Sequence, residues 1–285
     1  MKPTKMPDLS IIIVNHNTRE LLSACLRSIE QSIQESDRRE VIVVDNASSD
    51  GSPEAISNFK IIRNKENRGF SAANNQGVAA SKGRYVLLLN SDTEIGPGVL
   101  DKLVHYMDEH IDVGALTCLL QLSDGSMDPA CHRGFPSPWA SLTYFFGLEK
   151  FFPASRIFGQ YHQGYKSMGE IHDVDCISGA FFLVRREVIE HVGLLDEAFF
   201  MYGEDIDWCF RIRKAGWKIQ FYPHVCILHK KHQSGLAHAN DELRRETRKH
   251  FYGAMKLFYN KHYRKRYSPL VSSLVLFGIK LRSFL

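Results

Sequence analysis

Apolar residues in the first hundred positions follow two alternating rhythms. Short continuous runs at Ser10–Val14, Val41–Val44, Ile61–Ile62 and Tyr85–Leu89 read as strands covered on both faces. Between them the spacing lengthens. Asn17 or Thr18 can cap a helix whose apolar positions Leu21, Leu22, Cys25, Leu26, Ile29 and Ile33 fall on one face of a 3.6-residue period. Pro53 opens a short helix, Ser71–Ala80 reads as a helix of small residues, and Pro97 opens one that turns Leu100, Leu103, Val104 and Met107 inward. Strands alternating with helices predict an α/β, Rossmann-like domain with a mostly parallel central sheet flanked by helices.

From Leu119 to Asp173 the period is lost in a stretch rich in Phe, Tyr, Gly and Pro, the kind of segment that lines a site or moves over it. Regular structure resumes at Val174–Val184, with a helix from Glu187, an acidic helix start near Glu204, and strands at Trp217–Tyr222 and Val225–Leu228. Beyond about Asp241 the pattern is helical and basic, with Leu270, Val271, Leu274, Val275, Phe277, Gly278 and Leu281 along one face. The expected division is a catalytic domain over residues 1–232 and a basic amphipathic helical tail, a C-terminal helical extension, over 233–285.

Charge sharpens that division. Lys230 to Leu285 holds thirteen Lys/Arg against three Asp/Glu, a local +10, so the rest of the chain sits near −6 within a total of +4. A basic tail on a mildly acidic body suits an anionic partner such as a membrane surface, a polyphosphate or a nucleic acid, or else a solvated or packed helical face. At 44% apolar and 24% charged residues the 285-residue chain is ordinary globular material. Six cysteines without a CxxC pair read as reduced core residues of a cytosolic protein. The polar segment Met1–Asp8 has no signal-peptide core, and no run nears the roughly 20 apolar residues of a membrane span. The expected location is the cytoplasm, with peripheral contact at the inner face of the cell membrane through the tail.

Ligands of open parallel sheets bind beyond the carboxyl ends of the strands. Asn15-His16-Asn17 follows the first strand, Asp45 to Ser52 the second, and Asn90-Ser91-Asp92 the fourth. Any one of these acids can be a turn or cap residue. Three polar strand ends on one edge are harder to explain as turns alone. Asp45 can accept from a base edge or ribose, and Asp92 can hold a hard cation, Mg²⁺ or Mn²⁺, together with a diphosphate. No GxGxxG follows a strand and no P-loop occurs, so phosphate charge must be met by metal or by side chains such as Arg68. Glu204, Asp205 and Asp207 place three carboxylates within four positions. Crowded carboxylates raise one another's pKa, which suits a general base, although a helix start favours acids on its own account. His229 follows the Val225–Leu228 strand and can join the cation or be a surface residue, with His232 as a competitor, and Trp139 can be a stacking platform or a buried aromatic.

These segments resemble family 2 glycosyltransferases of the GT-A fold, in particular their bacterial rhamnosyltransferase-like branch. The resemblance rests on SIIIVNHN at 10–17, VVDNASSDGS at 43–52, NRGFSAANNQG at 67–77, LLNSDT at 88–93, SGAFFLVRR at 178–186 and FFMYGEDIDWCFR at 199–211, in that order over about residues 9–232. It implies an inverting transfer of a hexose, rhamnose among the candidates, from a dTDP- or UDP-linked donor. The acceptor implied is a saccharide or lipid-linked hydroxyl in cell-surface polysaccharide synthesis. Asn15, Asn17, Asp45, Arg68, Asn74, Ser91 and Asp92 are expected at the donor, Asp92 and His229 at the metal, and Trp139 and Asp207 at the acceptor. Asp205 is expected as the base, with Glu204 beside it. Asn90 stands where the family's metal motif carries its first acid. A sugar nucleotidyltransferase and a non-enzymatic membrane or nucleic-acid module are the alternatives. The first lacks a basic Gly-rich triphosphate loop and the second leaves the acidic cluster without a use, so no nucleic-acid partner is expected.

Overall fold

The computed structural model describes residues 7–32, 39–56, 58–231 and 241–284. Residues 1–6, Ile33, His232 and the proposed boundary at 232/233 lie outside them. The first three parallel strands are β1 (Leu9–Asn15), β2 (Arg39–Asp45) and β3 (Lys60–Arg63). They are joined by β4 (Tyr85–Asn90), which lies parallel to β1 on its other side. Their continuous apolar runs are buried because α1 (Arg19–Ser32) and α2 (Phe70–Ala79) cover opposite needs of the same layer. α1 buries Leu22, Cys25, Leu26 and Ile29. α2 is built of small residues because it presses close to the sheet: a Cβ on Gly77 would meet Ile12 Cγ2 at 2.2 Å.

The second half departs from the parallel pattern. Strand β5 (Thr93–Ile95) precedes α3 (Val99–Glu109) and β6 (Val113–Leu122). The irregular stretch holds two short helices, α4 (Pro138–Phe145) and α5 (Leu148–Phe151), and the two-residue β7 (His172–Asp173). Then come β8 (Phe181–Arg185), α6 (Arg186–Val192), α7 (Glu204–Lys214) and β9 (Lys218–His229). The strand order is β3-β2-β1-β4-β8-β6-β9-β5, with β7 also on β9. β8 runs antiparallel between β4 and β6, and β5 and β7 run antiparallel to β9. Only β6–β9 restores a parallel pair. The two strands expected at 217–228 are one strand. Its register slips where Tyr222 and Cys226 face successive residues Cys118 and Leu119, which accommodates Pro223 without a ladder donor. The six cysteines are unpaired and five of them are buried.

The tail folds back as α8 (Asp241–His262) and α9 (Pro269–Phe284). Phe199 and Phe210 from around α7 pack with Ala254, Phe258, Tyr259 and Tyr263 of α8 and the turn after it in a second apolar cluster. Tyr259 OH donates to Ser272 Oγ at 3.0 Å, joining α8 to α9. Among the described residues no helix is long and apolar enough to cross a membrane.

Candidate active site

Three groups of side chains form at the carboxyl edge of the sheet. The first lies where β1 and β2 end side by side, Asn15 opposite Asp45. Both are buried, and Asn15 Nδ2 donates to Asp45 Oδ1 and to Ser48 Oγ, each at 3.0 Å. Ser48 N donates to Asp45 Oδ2 at 3.0 Å, so the turn after β2 closes on its own aspartate. Thr18 Oγ1 donates to Asn15 Oδ1 at 2.6 Å and meets Ser91 Oγ at 2.9 Å, which ties in the end of β4. Asn17, in the left-handed region at φ 54°, accepts from Ser49 N at 2.8 Å and holds the same loop. Asn46 fixes the neighbouring segment: its Oδ1 accepts from Arg68 N at 3.0 Å, leaving Arg68 exposed on the rim. Asn74 is buried, and its Nδ2 donates to Phe70 O within its own helix at 2.9 Å.

The second group gathers around His229 at the end of β9, whose register partner on β5 is Thr93, next to Asp92. His229 Nε2 lies 3.4 Å from Asp92 Oδ1, and Nδ1 lies 2.9 Å from Asp128 Oδ2. Lys231 Nζ binds the other oxygen of Asp128 at 2.8 Å. Asp128 is fully buried. Burial alone would raise its pKa, but His229, Lys231 and the Ala130 N–H hold it well below the usual carboxylate range. Burial likewise works against charge on His229, yet its bonds to Asp128 and Asp92 push it up to about 9.

The third group opens α7. Arg133 Nη2 donates to Asp205 Oδ2 at 2.8 Å, and Nε donates to Ala130 O at 2.9 Å. The Asp205 side chain retains 13% exposure, so it is partly open to solvent. Glu204 turns inward. It is buried, its Oε2 has no hydrogen-bond partner, and burial followed by the Asp205 charge pushes its pKa up to about 8. A buried carboxyl with one oxygen left without a hydrogen bond is costly, and such groups cluster at sites.

Two short segments weld the groups into one rim. Asp128 and Arg133 flank a single turn, so the support of His229 and the partner of Asp205 come from one short segment. The loop before β8 does the same. Ala180 O accepts from Asn90 N at 3.1 Å, Ile177 O accepts from Arg133, and Gly179 stands against Glu204, where a Cβ would lie 4.0 Å from Oε1.

Residues 10–193 match the family model described as glycosyl transferase family 2. The chain belongs to that family. Among curated relatives, the family 2 chain is 32% identical over 211 residues to an N-acetylglucosaminyl-diphospho-decaprenol L-rhamnosyltransferase of Mycobacterium tuberculosis, covering 68% of each protein. Among solved structures it resembles a mannosyltransferase of Pyrobaculum calidifontis in complex with GDP-Man and Mn²⁺, at a TM-score of 0.63 and 18% identity, over 99% of this chain and 71% of that one. It also resembles GalNAc-T7 with UDP, GalNAc and Mn²⁺, at a TM-score of 0.59 and 18% identity, over 79% of this chain but only 44% of that chain's length. These structural likenesses establish the GT-A fold, and the family makes the chain a glycosyltransferase enzyme.

Within this glycosyltransferase the remaining expected residues separate. Asp207 is wholly buried, and its carboxylate is taken up by Arg211 Nε at 2.9 Å, His262 Nε2 at 2.6 Å and Lys261 Nζ at 2.7 Å. These partners hold it at about 2 against the cost of burial. The expected acceptor contact is therefore corrected to a strut between α7 and α8. It faces inward because it lies one turn after Glu204 and one before Arg211. Trp139 is 44% exposed on α4, donates from Nε1 to Ile157 O at 2.8 Å and lies beside the Phe158 ring at 6.3 Å between centroids. Asp128 was missed by sequence reasoning, and nothing in Met127-Asp128-Pro129 distinguishes it from a turn aspartate.

Among the described residues no group of three or more His, Cys, Asp or Glu side chains is placed to hold a metal. The donor set fits a divalent cation nonetheless. An oxygen of Asp92 and Nε2 of His229 face each other, and the far nitrogen of the ring rests on a buried carboxylate, the usual second support of a ligating histidine. Two protein ligands with the other positions left to diphosphate oxygens and water is how Mg²⁺ and Mn²⁺ bind in nucleotide sites.

Proposed function

We propose that this enzyme transfers a hexose, with rhamnose the first candidate, from a dTDP- or UDP-linked donor to a hydroxyl of a saccharide or lipid-linked acceptor, inverting the anomeric carbon. The role we assign it is in building a cell-surface polysaccharide. The observation that supports the reading is the joining of the three groups by the 128–133 turn and the 177–180 loop, to which we assign the nucleoside, the cation and the acceptor in turn. The rhamnosyltransferase likeness supports the sugar, since that relative's name gives both rhamnose and a lipid diphosphate. Peripheral contact of the C-terminal helices with the inner face of the cell membrane belongs to the same reading.

In this mechanism Asp45, positioned by Asn15 and Ser48, receives the base or ribose of the donor. Arg68 lies exposed on the same rim, where it can meet donor phosphate. Asp92 and His229 would hold a divalent cation, Mg²⁺ or Mn²⁺, which when bound offsets the charge gathering on the departing diphosphate. Asp205 removes the acceptor proton. It is the member of the acidic pair that reaches the surface, and Arg133 fixes its orientation. Glu204, buried behind it, keeps a second negative charge from the site while it remains protonated. Trp139 offers a ring face to the acceptor sugar. The test is turnover of nucleotide sugars by the wild-type enzyme, with and without EDTA, and by Asp205→Asn. Equal turnover in all three refutes the assignment.

A further inference from the structure

Helix α9 is apolar on two opposite sides. Val275 and Leu276 face inward against the cluster that anchors α8, and Ser272 is buried beside Tyr259. On the other side Leu270, Leu274, Phe277, Leu281 and Phe284 are exposed by 50–76%. At 3.6 residues per turn these five fall within an arc of about 80°, so they form one straight ridge along the helix. A soluble helix keeps one apolar stripe for its core and has no use for a second.

The surroundings of the ridge are cationic. The groove between α8 and α9, about 860 Å³, is lined by Arg245, Arg248, Lys249, Lys256 and Lys280 and by no acidic residue. At the far end Arg282 donates to Phe145 O at 3.2 Å and lies over the Phe145 ring at 4.9 Å. That contact joins the ridge to a second exposed apolar group, Phe146, Phe151 and Phe152, on the acceptor side of the catalytic domain.

We propose that the α9 ridge, together with the Phe146–Phe152 segment, docks on an anionic bilayer surface. The apolar side chains enter the boundary between headgroups and acyl chains, and the groove cations meet lipid phosphates. Charge chooses this occupant: an apolar ridge bordered by five cations matches the anionic interface of a membrane, whereas a second copy of the same face would oppose like charges. The dock does not hang on a free tail. Asp207 of α7 is gripped by Lys261 and His262 of α8, so the helix carrying Asp205 and the helices carrying the ridge are tied together. The surface thereby holds the acceptor side of the cleft toward the plane in which a lipid-linked substrate lies. This purpose rests on the lipid-linked acceptor proposed above, but the binding itself does not.

The experiment is vesicle flotation of the full chain with phosphatidylcholine alone and with added phosphatidylglycerol, beside donor turnover in the absence of vesicles. The wild-type chain is expected to float with the anionic vesicles and to be released by salt. Leu274→Glu/Phe277→Glu/Leu281→Glu alters side chains already in solvent and is expected to lose binding about 100-fold or more while keeping its melting temperature and donor turnover. Lys249→Gln/Lys256→Gln/Lys280→Gln is expected to lose about two orders of magnitude, near fivefold for each cation. The proposal is overturned if the wild-type chain does not float, if the ridge variant floats as well as wild type, or if the ridge variant instead breaks a dimer seen by analytical ultracentrifugation. Loss of donor turnover with floating intact would count against the catalytic reading alone.

Discussion

Replacing Asp128 tests the cation end of the cleft without touching a proposed ligand. Its carboxylate accepts from His229 Nδ1 at 2.9 Å, Lys231 Nζ at 2.8 Å and Ala130 N at 3.0 Å, wholly out of solvent. A carboxylate only accepts, so Nδ1 must carry a proton, and the Nε2 side of the ring is thereby aimed at Asp92. Asp128→Ala removes the ring's orientation and part of its basicity. Losses of this kind weaken metal binding about 10–100-fold, or about 1.4–2.7 kcal/mol. Asp128→Asn keeps an acceptor in place and is expected at the mild end of that range. The assay is calorimetric titration of Mn²⁺ into enzyme saturated with nucleoside diphosphate, with near-ultraviolet circular dichroism to confirm packing. Unchanged Mn²⁺ affinity in a folded Asp128→Ala enzyme would refute the claim that Asp128 supports a cation ligand.

Other perturbations read other parts of the account. Glu204 is raised from 4.5 to about 8, so the native enzyme holds a proton that the unfolded chain has released. Its contribution to stability is full below the unfolded value and is lost as pH rises through 8. Glu204→Gln is therefore expected to flatten the fall in melting temperature over that window, and an unaltered slope contradicts the burial argument. The raised proton affinity of His229 means that a cation must displace a proton, so apparent metal affinity weakens as pH falls from about 9. A pH-independent titration would count against His229 as a ligand. Asp207→Ala leaves Arg211, Lys261 and His262 around an empty position, the first two partly solvated, and is expected to cost about 3 kcal/mol in urea unfolding. A negligible change would show that α8 is held by its aromatic contacts alone. Gly77→Ala drives a methyl against Ile12 and is expected to cost about 1–3 kcal/mol.

What could be read in the chain and what could not divide along a physical line. The strands β1, β2 and β4 were legible because they are buried on both faces and read as unbroken apolar runs. The polar strand ends were legible for the same reason, since an acid just past such a run has to stand at the sheet edge. β9 was split in two because Pro223 interrupts its pattern, and only the paired strand reveals that the ladder absorbs it. The antiparallel placement of β8 was hidden because an apolar run carries no direction. Asp128 was illegible because its meaning comes from His229, 101 residues away. Asp207 misled for a related reason. Its neighbours in sequence are the acids proposed for the site, but its partners Lys261 and His262 come from a helix whose docking no local pattern announces. The chain's apolar pattern put Val275 on one face with Leu270, Leu274, Phe277 and Leu281, and only the fold separates them, packing Val275 inward and leaving the other four exposed.

The central claim is a direct displacement at the anomeric carbon, with Asp205 drawing the proton from the acceptor. The measurement closest to it is the anomeric configuration of the transferred sugar, determined by NMR on product made from an α- or β-defined nucleotide donor, Mn²⁺ and a lipid-linked saccharide, with Asp205→Asn run alongside. The account predicts a product of opposite configuration to the donor and no detectable transfer by the variant. A retained configuration, or transfer by Asp205→Asn at the wild-type rate, would contradict it.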